Sequence, residues 1–230
     1  MRRQDWAFLG AVVGVVAALV ALLGGATTWA AACGSVVIIA ALAARRWSRT
    51  EPGPMSHGLS WVLRFPRGPH SPKHLIQILE PVQGERILEV GPGIGIHAIP
   101  VAKSIAPTGR LDALDVQPAM IRDLNARAEL EGVSNVVGAC GDATKLSFPD
   151  ATFDAIFLIT VLGEIPDQDA ALAELRRAIK PSGRLVVGEM LIDPDFMGLG
   201  RLRERARRVG FVLERKQGPW AAYLARFRPG

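Results

Sequence analysis

The strongest constraint on the fold is a glycine-rich turn that directly follows an apolar segment. Residues 86–90 predict a short buried strand, and Gly91-Pro92-Gly93-Ile94-Gly95 follows at once. An apolar helical pattern then extends through Ala106. Glycines in such a turn let the main chain approach a ligand closely and leave N–H groups free at the beginning of a helix. The context of strand, turn and helix predicts an α/β domain with a ligand bound at this turn.

Strands and helices alternate through the rest of the chain. Further strands are predicted at 111–116, 135–139, 153–160 and 184–190, with helices at 118–131, 168–180 and 199–208. A last pair of strands is predicted at 211–217 and 223–228. This order predicts a seven-stranded, doubly wound, mostly parallel sheet with a late antiparallel element.

The N-terminal part is the most apolar region and has a net positive charge. Residues 6–23 contain no charge and would span roughly 27 Å as a helix, and a second apolar run covers 29–44. Residues 1–72 hold seven arginines and two acids, which accounts for the whole net charge of +5. Basic residues beside apolar runs favour a membrane surface over nucleic acid, and no nucleic-acid-binding motif is present.

These features predict two transmembrane helices that form a hairpin within residues 1–49. The arginines flank both runs and are absent from the turn between them, so the positive-inside rule places both termini and the catalytic domain on the cytoplasmic side of the inner membrane. Two alternatives stay open: a signal peptide over residues 1–32, or a buried hairpin of a soluble protein.

A linker rich in proline and glycine is predicted at residues 50–72, before a globular domain at 73–230. It contains one apolar patch, residues 59–63, and can fold over the site as a lid. Ser71-Pro72 then begins a helix, with the serine as N-cap and the proline at the first helical position.

Three acids, Glu89, Asp115 and Asp142, stand at the carboxyl ends of three successive predicted strands. That edge is where open α/β sheets bind ligands, and Asp115 can accept hydrogen bonds from both ribose hydroxyls. Acidic groups suit a cationic sulfonium and amine but not a pyrophosphate, and position 96 is isoleucine where a dinucleotide fingerprint needs glycine or alanine. The alternative is three independent turn acids. Neither the two cysteines nor the four histidines form a metal motif, so no metal site is predicted.

With these motifs together, residues 73–230 resemble a class I S-adenosylmethionine-dependent methyltransferase, in the branch of ubiquinone/menaquinone C-methyltransferases and related lipid methyltransferases. The matching stretches are ILEVGPGIG (87–95), LDVQPAM (114–120), GDA (141–143), FPDATFD (148–154), VLGEIPD (161–167) and LRRAIKPSGRLVV (175–187). The sequence departs from the family at Ile94, where threonine or serine is commoner.

The resemblance implies a Rossmann-like methyltransferase fold and S-adenosylmethionine as the cofactor. It implies that the three glycines of the turn line the methionine part, Asp115 holds the ribose, and Asp142 with Ala143 meets the adenine. The predicted cofactor-binding set is Glu89, Gly91, Gly93, Gly95, Asp115, Val116, Asp142, Ala143 and Thr160.

The acceptor side is less defined by the sequence. Residues 159–166 should border the transferred methyl group, and Glu164 is a candidate base or orienting group, or else a solvated loop acid. His57 and His70 in the linker are further candidates, whereas His97 is expected to pack or to lie on the surface. Three functions remain open: methylation of a lipid-soluble acceptor (quinone precursor, phospholipid headgroup or isoprenoid) at the membrane, methylation of a soluble small molecule, and cofactor binding by a non-catalytic scaffold.

Overall fold

The computed structural model describes residues 10, 13–15, 17, 20, 22–23, 27–64 and 68–230. The strands are β1 (Arg86–Val90), β2 (Arg110–Asp115), β3 (Val136–Cys140), β4 (Phe153–Ile159), β5 (Ile179–Met190), β6 (Phe211–Gln217) and β7 (Ala222–Pro229). The α-helices are α1 (Thr27–Thr50), α2 (Pro72–Leu79), α3 (Ala98–Ile105), α4 (Pro118–Leu130), α5 (Gln168–Ala178) and α6 (Leu199–Arg208). Short 3₁₀ helices cover His57–Arg64, Gly68–His70 and Leu162–Glu164.

Within the described residues, seven strands form one sheet in the order β3-β2-β1-β4-β5-β7-β6. The pairs from β3 to β5 are parallel, and β7 runs antiparallel to both β5 and β6. The predicted Rossmann-like α/β fold, with a mostly parallel sheet and a late antiparallel element, is therefore confirmed. The strand order reverses between β1 and β4, and this switch point opens a crevice at the carboxyl ends of the strands.

Two apolar layers cover the two faces of the sheet. Successive residues of β1 point to opposite faces, so Ile87 belongs to the layer packed by α2, α3 and α4, and Leu88 to the layer packed by α5 and α6. Phe157 and Ile156 divide in the same way on β4. Burial on both faces explains why these strands read as continuous apolar runs. Together the layers fix the strand ends that form the crevice.

The predicted membrane hairpin is wrong, and so is the localisation derived from it: none of the helices in the described ranges has the length and apolar character to cross a bilayer. Helix α1 does not end at the apolar run 29–44 but continues through the basic residues to Thr50. In this basic part Ala44 and Ser48 are buried, and the Arg45 guanidinium donates to the main-chain oxygen of Leu191. The first run, residues 6–23, and the alternative signal peptide lie mostly outside the described residues.

The entry into the sheet domain follows its sequence signals closely. The Ser71 hydroxyl accepts a hydrogen bond from the His74 main-chain N–H, and Pro72 stands at the first position of α2, which confirms the predicted cap. Helix α5 ends at Ala178, two residues before the predicted boundary, because Pro181 cannot continue a helix and residues from Ile179 onward join β5. The division of the chain at residues 49 and 72 stays a prediction.

Candidate active site

A cavity of about 790 Å³ lies at the carboxyl ends of β1, β2 and β4. One end is lined by the glycine turn and the residues that follow β2 and β3. The other end is lined by the loop after β4, by residues 190–195 after β5, and by Ala222. Residues of the 52–63 segment, named the strap below, line the cavity from above. Such a cavity at a topological switch point is the default binding site of an open α/β sheet.

Gly91 and Gly93 place bare main chain against the cavity. Gly91 has φ +69°, and a Cβ on it would lie 2.4 Å from Val161 Cγ2, so only glycine fits without displacing that side chain. Its N–H donates to the Leu114 main-chain oxygen at 2.8 Å, which ties the turn to β2. The turn is thus a cradle in which a ligand can approach the peptide units directly, as a bound cofactor requires.

Gly95 belongs to the same turn but does not line the cavity. It has φ +79°, and its N–H donates to the Pro92 oxygen at 2.9 Å. A Cβ at this position would lie 2.6 Å from Leu124 Cδ1 on α4. The geometry gives Gly95 a packing role behind the turn, and its contact with a ligand stays a prediction.

Asp115 ends β2 and lies on the cavity wall with its carboxyl group almost fully buried. Burial raises the pKa of this carboxyl, and hydrogen bonds from the main-chain N–H groups of Gln117, Gly93 and Val116 oppose that rise. The bond from Gln117 N measures 2.9 Å. The carboxylate is thereby oriented toward the cavity, where its remaining lone pairs can accept hydrogen bonds from a ribose.

Three more predicted residues extend this end of the cavity: Val116, Asp142 and Ala143. Asp142 follows β3, and its Oδ1 atom accepts a hydrogen bond from the Thr144 main-chain N–H at 2.8 Å. Ala143 is buried and packs in the apolar layer with Leu146. An apolar wall beside an oriented carboxylate suits a flat base with an exocyclic amine.

Thr160 follows β4 on the cavity wall with φ +56°, in the left-handed region. This conformation is a genuine outlier for a β-branched residue and costs of order 1–3 kcal/mol. The Thr160 main-chain N–H donates to the Gly188 oxygen at 2.8 Å, so pairing with β5 holds the residue in place. Backbone strain of this kind clusters at functional sites. The role of Thr160 in cofactor binding stays a prediction.

Glu89, in contrast, is not on the cavity wall. It stands one residue before the end of β1, and successive side chains of a strand point to opposite faces, so Val90 reaches the cavity and Glu89 is buried beneath it. The role of Glu89 in cofactor binding stays a prediction.

Glu164 lies on the acceptor side of the cavity, in the 3₁₀ turn after β4. Its Oε1 atom accepts a hydrogen bond from the Met55 main-chain N–H at 3.3 Å. Burial raises the pKa of Glu164 well above its usual value, and the negative charges of Asp193, Asp195 and Asp115 raise it further. Glu164 is half-buried on the cavity wall, and its role as a base or an orienting group stays a prediction.

Of the three histidines considered, His97 lines the cavity, whereas His57 and His70 do not. The His57 ring contacts Asp123 on α4 at 2.8 Å, with both side chains partly exposed, and His57 does not line the cavity. The hypothesis that His57 takes part in catalysis is therefore not supported by its position. His70 Nε2 lies 3.1 Å from the Tyr223 oxygen, outside the cavity. His97 is buried on the wall with Nε2 2.7 Å from the His70 oxygen, in agreement with its expected packing role.

A family model described as a methyltransferase domain matches residues 87–183, which include the glycine turn, Asp115, Asp142 and Glu164. Residues 87–183 form a methyltransferase domain. A ubiquinone/menaquinone biosynthesis C-methyltransferase UbiE of Cupriavidus metallidurans is 38% identical over 106 residues, 46% of this chain and 43% of the relative. A 27-O-demethylrifamycin SV methyltransferase of Amycolatopsis mediterranei is 33% identical over 130 residues, 55% of this chain and 46% of the relative. The chain thus spans less than half the length of these relatives.

The solved structures agree with the fold of the methyltransferase domain. The crystal structure of an S-adenosylmethionine-dependent methyltransferase from Aquifex aeolicus aligns with a TM-score of 0.69 at 20% identity, over 76% of this chain and 98% of that one. The predictions of a class I methyltransferase domain and of S-adenosylmethionine as its cofactor are confirmed. The cradle at Gly91 and the oriented Asp115 carboxyl fit that cofactor.

Sequence reasoning missed several residues that complete the site of the methyltransferase domain. Gln117, Met55, Asp193 and Asp195 line the cavity, and none was singled out. Glu189 lies just below it, 1% exposed, with Oε2 accepting a hydrogen bond from the Met197 main-chain N–H at 2.9 Å. The available signal for Glu189 was a single acid inside the apolar run LVVGEM, since charged residues are almost never fully buried without a role or a partner.

Proposed function

We propose that this chain transfers a methyl group from S-adenosylmethionine to an apolar small molecule. The observation that carries the proposal is the asymmetry of one continuous cavity. Main chain and oriented carboxyl groups line the end at β1, β2 and β3, and mostly apolar side chains line the end toward β5. The first end suits a polar, cationic cofactor, and the second suits the body of an acceptor.

The acceptor end supports a lipid-soluble molecule of the quinone-precursor or isoprenoid type. Aliphatic groups of Ile165, Met190 and Ile192 line it, and Leu59 and Val62 of the strap line the same cavity. Burying such surface contributes about 25 cal/mol per Å² to binding an apolar ligand. A phospholipid headgroup is disfavoured because its phosphate would meet the acids Glu164, Asp193 and Asp195, which line the same end.

Methyl transfer requires the protein mainly to position the acceptor beside the cofactor and to exclude water. When bound, S-adenosylmethionine supplies a methyl group activated by a sulfonium. The residues of this chain would bind the acceptor beside the cofactor end and exclude bulk solvent, and bringing the reacting atoms to about 3–3.5 Å would supply much of the rate. Thr160, Val161 and Ile165 line the cavity after β4, and Val161 also lies against Gly91 of the cofactor end.

The proposal is tested by methyl transfer from radiolabelled S-adenosylmethionine. The full chain is incubated separately with an organic-solvent extract of lipids and quinones and with the aqueous metabolites of the same cells. We expect label in the organic extract, and at least about tenfold less label with the Asp115→Ala variant when the cofactor is below its dissociation constant. Label only in aqueous metabolites would favour a soluble acceptor, and tight cofactor binding without transfer to either fraction would favour a non-catalytic scaffold.

A further inference from the structure

The strap touches both walls of the cavity through a single peptide segment at Met55. The Met55 main-chain N–H donates to Glu164 Oε1 at 3.3 Å on the acceptor side. The Met55 main-chain oxygen accepts a hydrogen bond from Gln117 Nε2 at 2.9 Å on the cofactor side. Glu164 and Gln117 lie 109 and 62 positions from Met55 in sequence, and both bind this one residue over the cavity.

The Gln117 anchor is joined directly to the cofactor end. Its main-chain N–H donates to Asp115 Oδ1 at 2.9 Å, while its side chain holds Met55. Farther along the strap, Leu63 Cδ1 lies 2.8 Å from the position that a Cβ would take on Gly93, so the strap also packs on the glycine turn. Leu59 is 3% exposed and secures the segment between these contacts.

We propose that Gln117 and Glu164 are positioning residues that close the strap over the bound cofactor by holding the main chain of Met55. This inference rests on the proposed function, because it assigns the strap to the same cavity. Closure retains the cofactor and excludes water, and the product S-adenosylhomocysteine leaves only after the two bonds to Met55 break. The His57–Asp123 pair also ties the strap to α4, but exposed pairs of this kind contribute little.

The anchoring role makes a specific demand on Glu164: its side chain only has to accept a hydrogen bond. A glutamine can do this through its amide oxygen, whereas a leucine cannot. A general base, in contrast, must accept a proton, and glutamine cannot replace it. The pair Glu164→Gln and Glu164→Leu therefore separates holding the strap from moving a proton.

The experiment measures the release rate of S-adenosylhomocysteine by rapid dilution or stopped flow, in the full chain and its variants. Gln117→Leu and Glu164→Leu should each speed release about fivefold, the equivalent of one net hydrogen bond. Glu164→Gln should release the probe within about twofold of the wild-type rate. Gln83→Leu is the matched control, since Gln83 Nε2 donates to the Ala106 main-chain oxygen on an exposed surface outside the cavity.

Hydrogen exchange supplies a readout that a merely structural defect would not reproduce. With S-adenosylhomocysteine bound, peptides covering residues 52–63 should exchange faster in Gln117→Leu and Glu164→Leu, while peptides from β1 and β4 should not change. The melting temperature of each variant shows whether the fold is intact, and a variant that fails to fold is replaced by Gln117→Met, which keeps the volume and removes the donor.

Three outcomes would overturn the inference: unchanged release in both leucine variants, unchanged exchange in the strap, or release from Glu164→Gln as fast as from Glu164→Leu. The last would show that charge, not the accepted bond, holds the strap. None of these outcomes bears on the proposed function, which instead fails if the wild-type chain transfers no methyl group to either extract.

Discussion

The two ends of the cavity are built in different ways. The cofactor end consists of strand termini and the turns that follow them, with main-chain atoms of Gly91 and Gly93 and a carboxyl group fixed by neighbouring N–H groups. The acceptor end is assembled from four segments that are distant in sequence: the strap, the loop after β4, residues 190–195, and Ala222. Its shape depends on how these segments pack on each other.

This difference predicts different sensitivities to substitution. A change at the cofactor end should act on ligand affinity, because the sheet itself holds the main chain there. A change at the acceptor end should act on the arrangement of the loops, because a few buried contacts hold them. One such contact joins Glu189 to Met197 below the loop, and another places Gly163 against Asp195.

The largest effect is expected at Glu189, beneath the acceptor end. Burial, assisted by the negative charges of Asp193 and Asp195, raises the pKa of its carboxyl from 4.5 to about 8. The native protein therefore keeps a proton that the unfolded chain releases, so this group's contribution to stability falls as the pH rises from about 4.5 to about 8. Glu189→Gln cannot ionise, and its free energy of unfolding relative to wild type should rise between pH 5 and pH 8 by an amount on the order of 3 kcal/mol.

Chemical denaturation of both proteins at pH 5 and pH 8 measures this change. A difference between variant and wild type that is the same at both pH values would contradict the raised pKa. Glu204→Gln serves as a control for a fully exposed glutamate.

The second effect concerns Gly163 in the loop after β4. A Cβ on this residue would lie 2.3 Å from the main-chain oxygen of Asp195, and a main-chain atom cannot turn aside as a side chain can. Gly163→Ala should therefore displace residues 191–197, cost about 2–3 kcal/mol of stability and abolish methyl transfer, with cofactor affinity retained within about twofold. Gly200→Ala, where nothing lies within 4 Å of the added Cβ, should change neither property. Retained transfer in Gly163→Ala would mean that this loop does not shape the acceptor end.

The third effect lies at the cofactor end. Here, in contrast to Gly163→Ala, cofactor affinity itself should fall. Asp115→Ala removes a buried, hydrogen-bonded carboxyl group and should weaken binding of S-adenosylhomocysteine by roughly 1.5–3 kcal/mol. Titration calorimetry measures the loss, with Asp150→Ala as the control because Asp150 is an exposed acid outside the cavity. Unchanged affinity would show that the carboxyl group does not contact the ribose.

The smallest effect is expected at Ile192, an aliphatic side chain at the open rim of the acceptor end. Ile192→Ser should raise the KM for the acceptor found in the labelled extract about fivefold, the equivalent of roughly 1 kcal/mol of apolar contact. The KM for the cofactor should stay the same. Leu130→Ser removes an exposed aliphatic group that does not line the cavity and controls for general surface effects. Equal changes in the two KM values would remove the distinction between the ends.

The cofactor end could be predicted from the sequence because local signals specify it. The strand 86–90, the glycine turn and Asp115 are set by short-range patterns, and parallel strand order then brings their ends together. A motif fixes spacing but not which side of the turn or strand faces the cavity, and Gly95 and Glu89 do not line it.

The acceptor end could not be predicted because no local pattern encodes contacts across a hundred residues. The bonds of Met55 to Gln117 and Glu164 join segments whose meeting depends on the complete fold. The prediction for helix α1 was wrong for a related reason. Apolar composition and flanking arginines indicated a membrane span, whereas Arg45 contacts the loop after β5. A basic cluster has the same appearance in sequence whichever surface it meets.

The most direct test of the central claim, that the glycine turn and Asp115 form an S-adenosylmethionine site, is titration calorimetry of the full chain with S-adenosylhomocysteine and, separately, with NAD. We expect S-adenosylhomocysteine to bind with one-to-one stoichiometry and NAD to bind at least about a hundredfold more weakly, because the acids at the strand ends disfavour a pyrophosphate. Tighter binding of NAD, or no binding of S-adenosylhomocysteine, would contradict the claim.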